Sequence, residues 1–258
     1  VVESGTTAWN GGWYVVNGVV TIGSRVTVSG EVHLILADNA SLTVNDGINV
    51  AEGNSFSVYA QSVGENMGTL TATGKSSAAG IGGGYLASGG TITIHGGNVT
   101  ANGGYSAAGI GSGKDSRSGG TITIHGGTVK ATGGILAAGI GGGNSSSSGT
   151  ITIHGGTVET IGGGSAAGIG GGYSGSGDTI TIHGGSVTAT GGAYAAGIGG
   201  GRKGSGGTIT IHGGSVTATG VDSAAGIGGG EDASGGSFAT GTDGHALIVA
   251  SSISDKSQ

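Results

Sequence analysis

The stretch GGTITIHGGTVKATGGILAAGIGGG, Gly119 to Gly143, decides the fold, because near-copies of it follow one another along more than half of the chain. The string TITIHGG begins at Thr91, Thr121, Thr150, Thr179 and Thr208. AAGIGGG, or its variant AAGIGSG, begins at Ala78, Ala107, Ala137, Ala166, Ala195 and Ala224, so successive copies lie 29 or 30 residues apart. A third segment such as TVKATGG, from Thr128, stands between the two. Each unit therefore holds three strand-length segments separated by Gly pairs, with no helical period. A short unit of constant length with three strands predicts an all-β, right-handed parallel β-helix, a β-solenoid whose coils stack at about 4.8 Å so that equivalent residues form ladders. A propeller is set aside, because its four-stranded blades need about 40 residues.

Fainter copies extend the pattern at both ends. Ser55 to Tyr59 fits TITIH with Tyr59 in the histidine slot, and Ser237 to Gly241 fits it again with Gly241 there. The expectation is one domain over 1–258: irregular N-terminal coils at 1–77, regular repeats at 78–236 and a C-terminal coil or cap at 237–258.

Composition narrows the function classes. The chain carries 68 Gly in 258 residues, no Pro and no Cys, and only 9% charged and 4% aromatic residues. Such Gly content in a linker would lack β-branched residues in register, which are present here. The net charge of -6 is spread thinly, without the basic clusters of a nucleic-acid binder, and no apolar run reaches the length of a membrane span. The N-terminus lacks the charged and apolar regions of a secretory signal, so a secreted protein would already have lost it. Without Cys there are neither disulfides nor thiolate metal sites.

Alternation along a strand turns Ile122 and Ile124 inward and Thr121, Thr123 and His125 outward. Val129 and Ala131 likewise face in, with Thr128, Lys130 and Thr132 facing out. In the third segment the same rule places Ala138 and Ile140 inside and leaves Ala137, Gly139 and Gly141 on the surface, a flat strip of nearly bare backbone. One face then carries three ladders: Thr91, Thr121, Thr150, Thr179 and Thr208; Thr93, Thr123, Thr152, Thr181 and Thr210; and His95, His125, His154, His183 and His212.

The histidine ladder invites a metal, but metal sites ordinarily add carboxylates or thiolates in a fixed geometry, and no carboxylate recurs beside it. Stacked rings, each with a nitrogen bonded to a loop carbonyl, account for the ladder, and no metal and no cofactor is expected. The glycine runs match neither a phosphate loop nor a dinucleotide fingerprint, and the regular Asp of calcium-binding nonapeptides is absent. Carboxylates such as Asp115, Glu159, Asp178 and Asp222 sit at non-equivalent positions, which leaves a polysaccharide-active enzyme, needing paired acids, as the third reading. Glycan binding leads: a polysaccharide would lie along the Gly/Ala strip between Tyr85 and Tyr173 at one end of the strands and Tyr105 and Tyr194 at the other, with rings stacked on sugar faces. Ice binding by the threonine lattice is the alternative.

The run LILADNASLTVNDGINVAEGNSFSVYAQ (Leu34 to Gln61), the AAGIGGG and TITIHGG units, and the closing HALIVASSISD (His245 to Asp255) together resemble glycine-rich repeat regions of large modular bacterial surface proteins, chiefly of gut-type anaerobes. The resemblance implies an extracellular, wall-associated module of a longer polypeptide. It also implies adhesion or spacing with a polysaccharide or host glycan as partner, and it brings no catalytic residues. Self-association through the solenoid ends or the Gly/Ala face is a further expectation.

Overall fold

Thr121–Ile124 pairs in parallel with Thr91–Ile94 on one side and Thr150–Ile153 on the other, each residue opposite its equivalent. Thr128–Thr132 does the same between Asn98–Asn102 and Thr157–Ile161, and Ile140–Gly141 between Ile110–Gly111 and Ile169–Gly170. These ladders come from a computed structural model that describes residues 1–253, with the backbone alone over 242–245. The protein is an all-β parallel solenoid of about 7 turns with about 29 residues per turn, consistent with a right-handed parallel β-helix. Among the described residues there is no helix. The final part of the segment expected as a C-terminal cap, beyond Ile253, lies outside the described residues.

The irregular N-terminal segments are coils of the same solenoid. Val26–Leu36 is long enough to turn a corner: Val26 pairs with Ile48, while Val32 to Leu36 pair with Phe56 to Ala60, which lead on to Thr91–Ile94. Ser237 to Thr240 face Thr208 to Ile211, as the sequence predicts.

The core follows the expected alternation in two of the three segments. Ile122, Ile124, Val129, Ala131 and Ile140 are fully buried, and their equivalents continue the columns from coil to coil. Bulkier side chains, Trp9, Leu34, Phe56 and Leu70, fill the N-terminal coils. One column is broken: Thr160 sits where its neighbours carry Ala131 and Ala189, is fully buried, and its hydroxyl has no hydrogen-bond partner.

The third segment departs from the sequence reading. Ala137 is as completely buried as Ala138, and Gly139, Gly141, Gly142 and Gly143 are buried with them. Alternation fails because this is no extended strand: only Ile140–Gly141 has strand geometry. The chain then bends, with Gly141 at φ 126° and the Ala138 N–H donating to the Gly142 carbonyl at 2.9 Å. The backbone folds inward, so that a methyl group at Gly139 would lie 2.7 Å from the Ala131 carbonyl oxygen and 2.8 Å from that of Gly168. Gly141, facing the Gly170 carbonyl across the coil spacing, has no room for a side chain. Here glycine serves both a positive φ and a close backbone approach.

Candidate functional site

The loops before and after the glycine segment close over it. The Asn144 N–H donates to the Ser106 carbonyl at 2.9 Å, Tyr173 to Leu136 at 3.0 Å, Arg202 to Ser165 at 3.0 Å and Glu231 to Tyr194 at 2.9 Å. Each of these bonds joins the loop that follows one glycine segment to the loop that precedes the segment of the previous coil. The bare Gly/Ala face expected from the sequence is therefore not a surface, and no sugar chain can lie on it. Its two margins instead meet as one ridge of unrepeated residues.

All four tyrosines fall on that ridge, in two rows. Tyr85 and Tyr173 occupy the row after the glycine segments, and Tyr105 and Tyr194 lie in the loops before them. Tyr85, Leu86, Tyr105 and Ile135 stand 59%, 64%, 65% and 51% exposed. Tyr194 is half-buried beneath the Arg202 guanidinium, 4.7 Å from its ring centre, and Arg202 Nε in turn lies 2.9 Å from Glu231 Oε2 as an ion pair without hydrogen-bond geometry. Among the described residues none of the four tyrosine rings stacks on another, so they are stations along a rod and not one pocket. Just after the glycine segments, Leu86, Asp115, Ser145, Ser174, Lys203 and Asp232 all adopt φ between 55° and 64°. This left-handed column sets the shape of the ridge, and no repeated letter announces it because the residue type changes along the column.

On another side of the solenoid, at the corner between the first and second strands, the histidines stand as expected. His95, His125, His154, His183 and His212 form a face-to-face stack with centroids 4.8 or 4.9 Å apart and planes within 7° of parallel. Tyr59 continues it at 4.4 Å from His95. His33 and Trp13, stacked at 4.3 Å, prolong the aromatic row but sit two residues earlier in register, in the column of Thr93. That shift is why alignment to the histidine slot misses them. At the other end Gly241 lies under the His212 ring and leaves no space for a side chain of its own.

The stack is held by backbone bonds, such as the His125 N–H to the Ile94 carbonyl at 2.8 Å and His154 to Ile124 at 2.7 Å. The loop-carbonyl bonds expected for the ring nitrogens are not made: among the described residues no ring nitrogen of the five is hydrogen-bonded, and the rings from His95 to His183 are exposed. Burial first, then the neighbouring imidazoles His125 and His33, lowers the His95 pKa below the ordinary value. Burial followed by His154 and His212 does the same for His183. With the His125 and His154 planes within 3° of parallel, the in-plane nitrogen lone pairs of adjacent rings run side by side and do not converge on one point, as the ligands of a metal ion must. Among the described residues no group of three or more His, Asp or Glu is placed to hold one.

The outer threonines, Thr91, Thr121, Thr150, Thr179 and Thr208, are exposed. The inner row, Thr93, Thr123, Thr152, Thr181 and Thr210, is half-buried beside the imidazoles. Thr91, Thr121 and Thr150 form one wall of a shallow depression of about 340 Å³ whose lining also includes Glu52 and Arg117.

A family model described as a beta helix repeat matches residues 66–85, 92–114, 122–144, 151–173, 180–202 and 209–231. These segments make up just over half of the chain, which belongs to the beta helix repeat family. No curated protein and no solved structure matches it.

Proposed function

We propose that this beta helix repeat protein is a non-enzymatic, extracellular spacer and adhesion module whose contact surface is the loop ridge, with a host glycan or polysaccharide as partner. The observation that carries the reading is where variation sits. Strand positions repeat from coil to coil, whereas the slots of Tyr85, Leu86, Tyr105 and Ile135 change residue type along the rod, and these four side chains are large and exposed on one ridge. Large exposed apolar groups set among the small and charged residues of these loops are what a contact site needs, and tyrosine offers both a stacking face and a hydroxyl to a sugar. The backbone ladders supply the stiffness of a spacer, since each coil is bonded to the next in all three segments. The resemblance to modular bacterial surface proteins supports the extracellular setting. Glycan-array binding by the intact chain that is lost on replacing Tyr85 and Tyr105 by Ala would support this reading, and an array without hits would remove the glycan partner.

A second reading, ice binding, is favoured by one observation: two threonine rows run in register over five coils. It ranks lower because the inner row is half-buried beside the imidazoles and the outer row walls a depression. Thermal hysteresis measurements decide it.

A further inference from the structure

The five stacked imidazoles, rather than the loop ridge, carry a second site. We infer that the row from His95 to His212 is an acid-gated binding site for a linear acidic polysaccharide, a uronic-acid polymer whose carboxylates follow one another along the chain. Five ionisable rings stand in one line at 4.8 or 4.9 Å intervals, with the rings from His95 to His183 exposed and no ring nitrogen engaged within the described chain. Imidazole is the side chain whose ordinary titration range lies nearest neutrality, so a line of such rings is able to gain positive charge as the solution is acidified, and an anion laid along it would be the matching counter-charge.

Among the described side chains little answers this charge. The charged groups on the adjoining elements are few. Glu31 is held 3.3 Å from His33, and Asp38 accepts from Ser62, in the loop at the Tyr59 end that also carries Glu65. On the neighbouring strand Lys130 and Glu159 are paired with each other at 3.1 Å. Tyr59 caps the row, and the strand positions alongside it are threonines such as Thr93 and Thr123. Among the described residues no carboxylate is thus paired with the five rings, and protonation there creates repulsion that a bound polyanion would relieve. The partner must be extended, because the site is a line along the rod, and must carry closely spaced charges. Polyuronates do both, and carboxylates remain ionised well below neutrality. Single-stranded nucleic acid fits less well, since its binding relies on exposed aromatic faces on which bases stack, and here the faces are occupied by one another. The chain as a whole is acidic, with net charge -6, so affinity for a polyanion would mark a local site and not general attraction.

Calorimetric titration with polygalacturonate at about pH 5 and about pH 7.5 tests this, with dextran as the neutral polymer and oligothymidylate as the competing polyanion. The expected result is binding at least about tenfold tighter in acid, accompanied by proton uptake and weakened by salt. Dextran should not bind. The double variant His125→Gln with His183→Gln should lose the acid binding, while Tyr85→Ala with Tyr105→Ala keeps it, which separates this site from the ridge. If the double variant does not fold, His154→Gln alone should show a smaller loss. Equal binding at both pH values, no binding in acid, full retention in the histidine variants, preference for oligothymidylate, or loss of the β-sheet circular dichroism at about pH 5 each overturns the proposal.

Discussion

The imidazole rings of His125 and His154 lie face to face, 4.8 Å between centroids and 3° from parallel. Two positive charges at that spacing repel by about 1 kcal/mol in water, so the stack is best satisfied with its rings neutral. The lowered pKa values of His95 and His183 fix the sign. The folded state releases protons that the unfolded state would keep, so this stabilisation is present above the ordinary imidazole pKa of about 6.5 and is lost as pH falls through the folded values. Thermal melts should hold steady above neutrality and shift down by roughly 2–4 °C in mild acid. The double substitution His125→Gln with His183→Gln should flatten that slope. Equal slopes in both proteins would show that the stack does not report pH.

Gly141 should be intolerant of even a methyl group. Its φ is 126°, and an added Cβ would collide with the Gly170 carbonyl of the next coil. Gly141→Ala should destabilise by about 3 kcal/mol or more, in the range of steric and backbone strain. Gly84, which closes the AAGIGGG copy that begins at Ala78, lies outside the left-handed region and has open space where a Cβ would stand. Gly84→Ala should stay within about 0.5 kcal/mol. Denaturant midpoints of the two variants make the comparison.

These glycines also mark how far residue types alone reveal the structure. The period and the inward columns of Ile122, Ile124 and Val129 are legible in the sequence, because repetition and two-residue alternation are side-chain signals. The burial of Ala137 and Gly139 is not. It results from a turn at Gly141 and from loop-to-loop bonds such as Asn144 N–H to the Ser106 carbonyl, which are made by backbone and leave no pattern in residue type. The candidate site moves for the same reason: the four tyrosines stand out by type, but the strip between them is interior. The stacking at Tyr59 is readable from its slot, whereas His33 and Trp13 enter from a different register column.

Thr160 should be improvable. Its hydroxyl is buried without a partner in a column of alanines, and an unsatisfied buried polar group costs about 1–3 kcal/mol. Thr160→Val keeps the shape and removes the polar atom, so it should stabilise the chain by about 1 kcal/mol. A lowered melting temperature would mean that the hydroxyl is satisfied in solution.

Arg25 ties the N-terminal coils to the first glycine segment. Its guanidinium donates to the carbonyls of Asp46 at 3.0 Å, Ala79 at 3.2 Å and Gly82 at 2.9 Å, and burial brings its pKa down to about 10 against the opposing effect of Asp46. The group stays charged at neutral pH, and its bonds reach across two coils. Arg25→Met should cost about 2–3 kcal/mol, the scale of charge-assisted bonds. Arg25→Lys, with a single ammonium in place of the planar fork, should recover only part of that in equilibrium unfolding.

Leu86 separates stability from function on the ridge. It holds φ 60° while its side chain is largely exposed, a conformation that is disfavoured for leucine and easier for asparagine. Nothing in the packing demands leucine there, and the equivalent residues of later coils include Asp115, Ser145 and Asp232. The conformation belongs to the whole column, so leucine is the unusual choice in this slot, and its exposed apolar side chain makes it a test of the proposed contact surface. Leu86→Asn should therefore raise the unfolding free energy by about 0.5–1 kcal/mol and at the same time weaken binding to whatever glycan the intact ridge retains on an array. A variant that gains stability with binding unchanged would place the contact surface elsewhere.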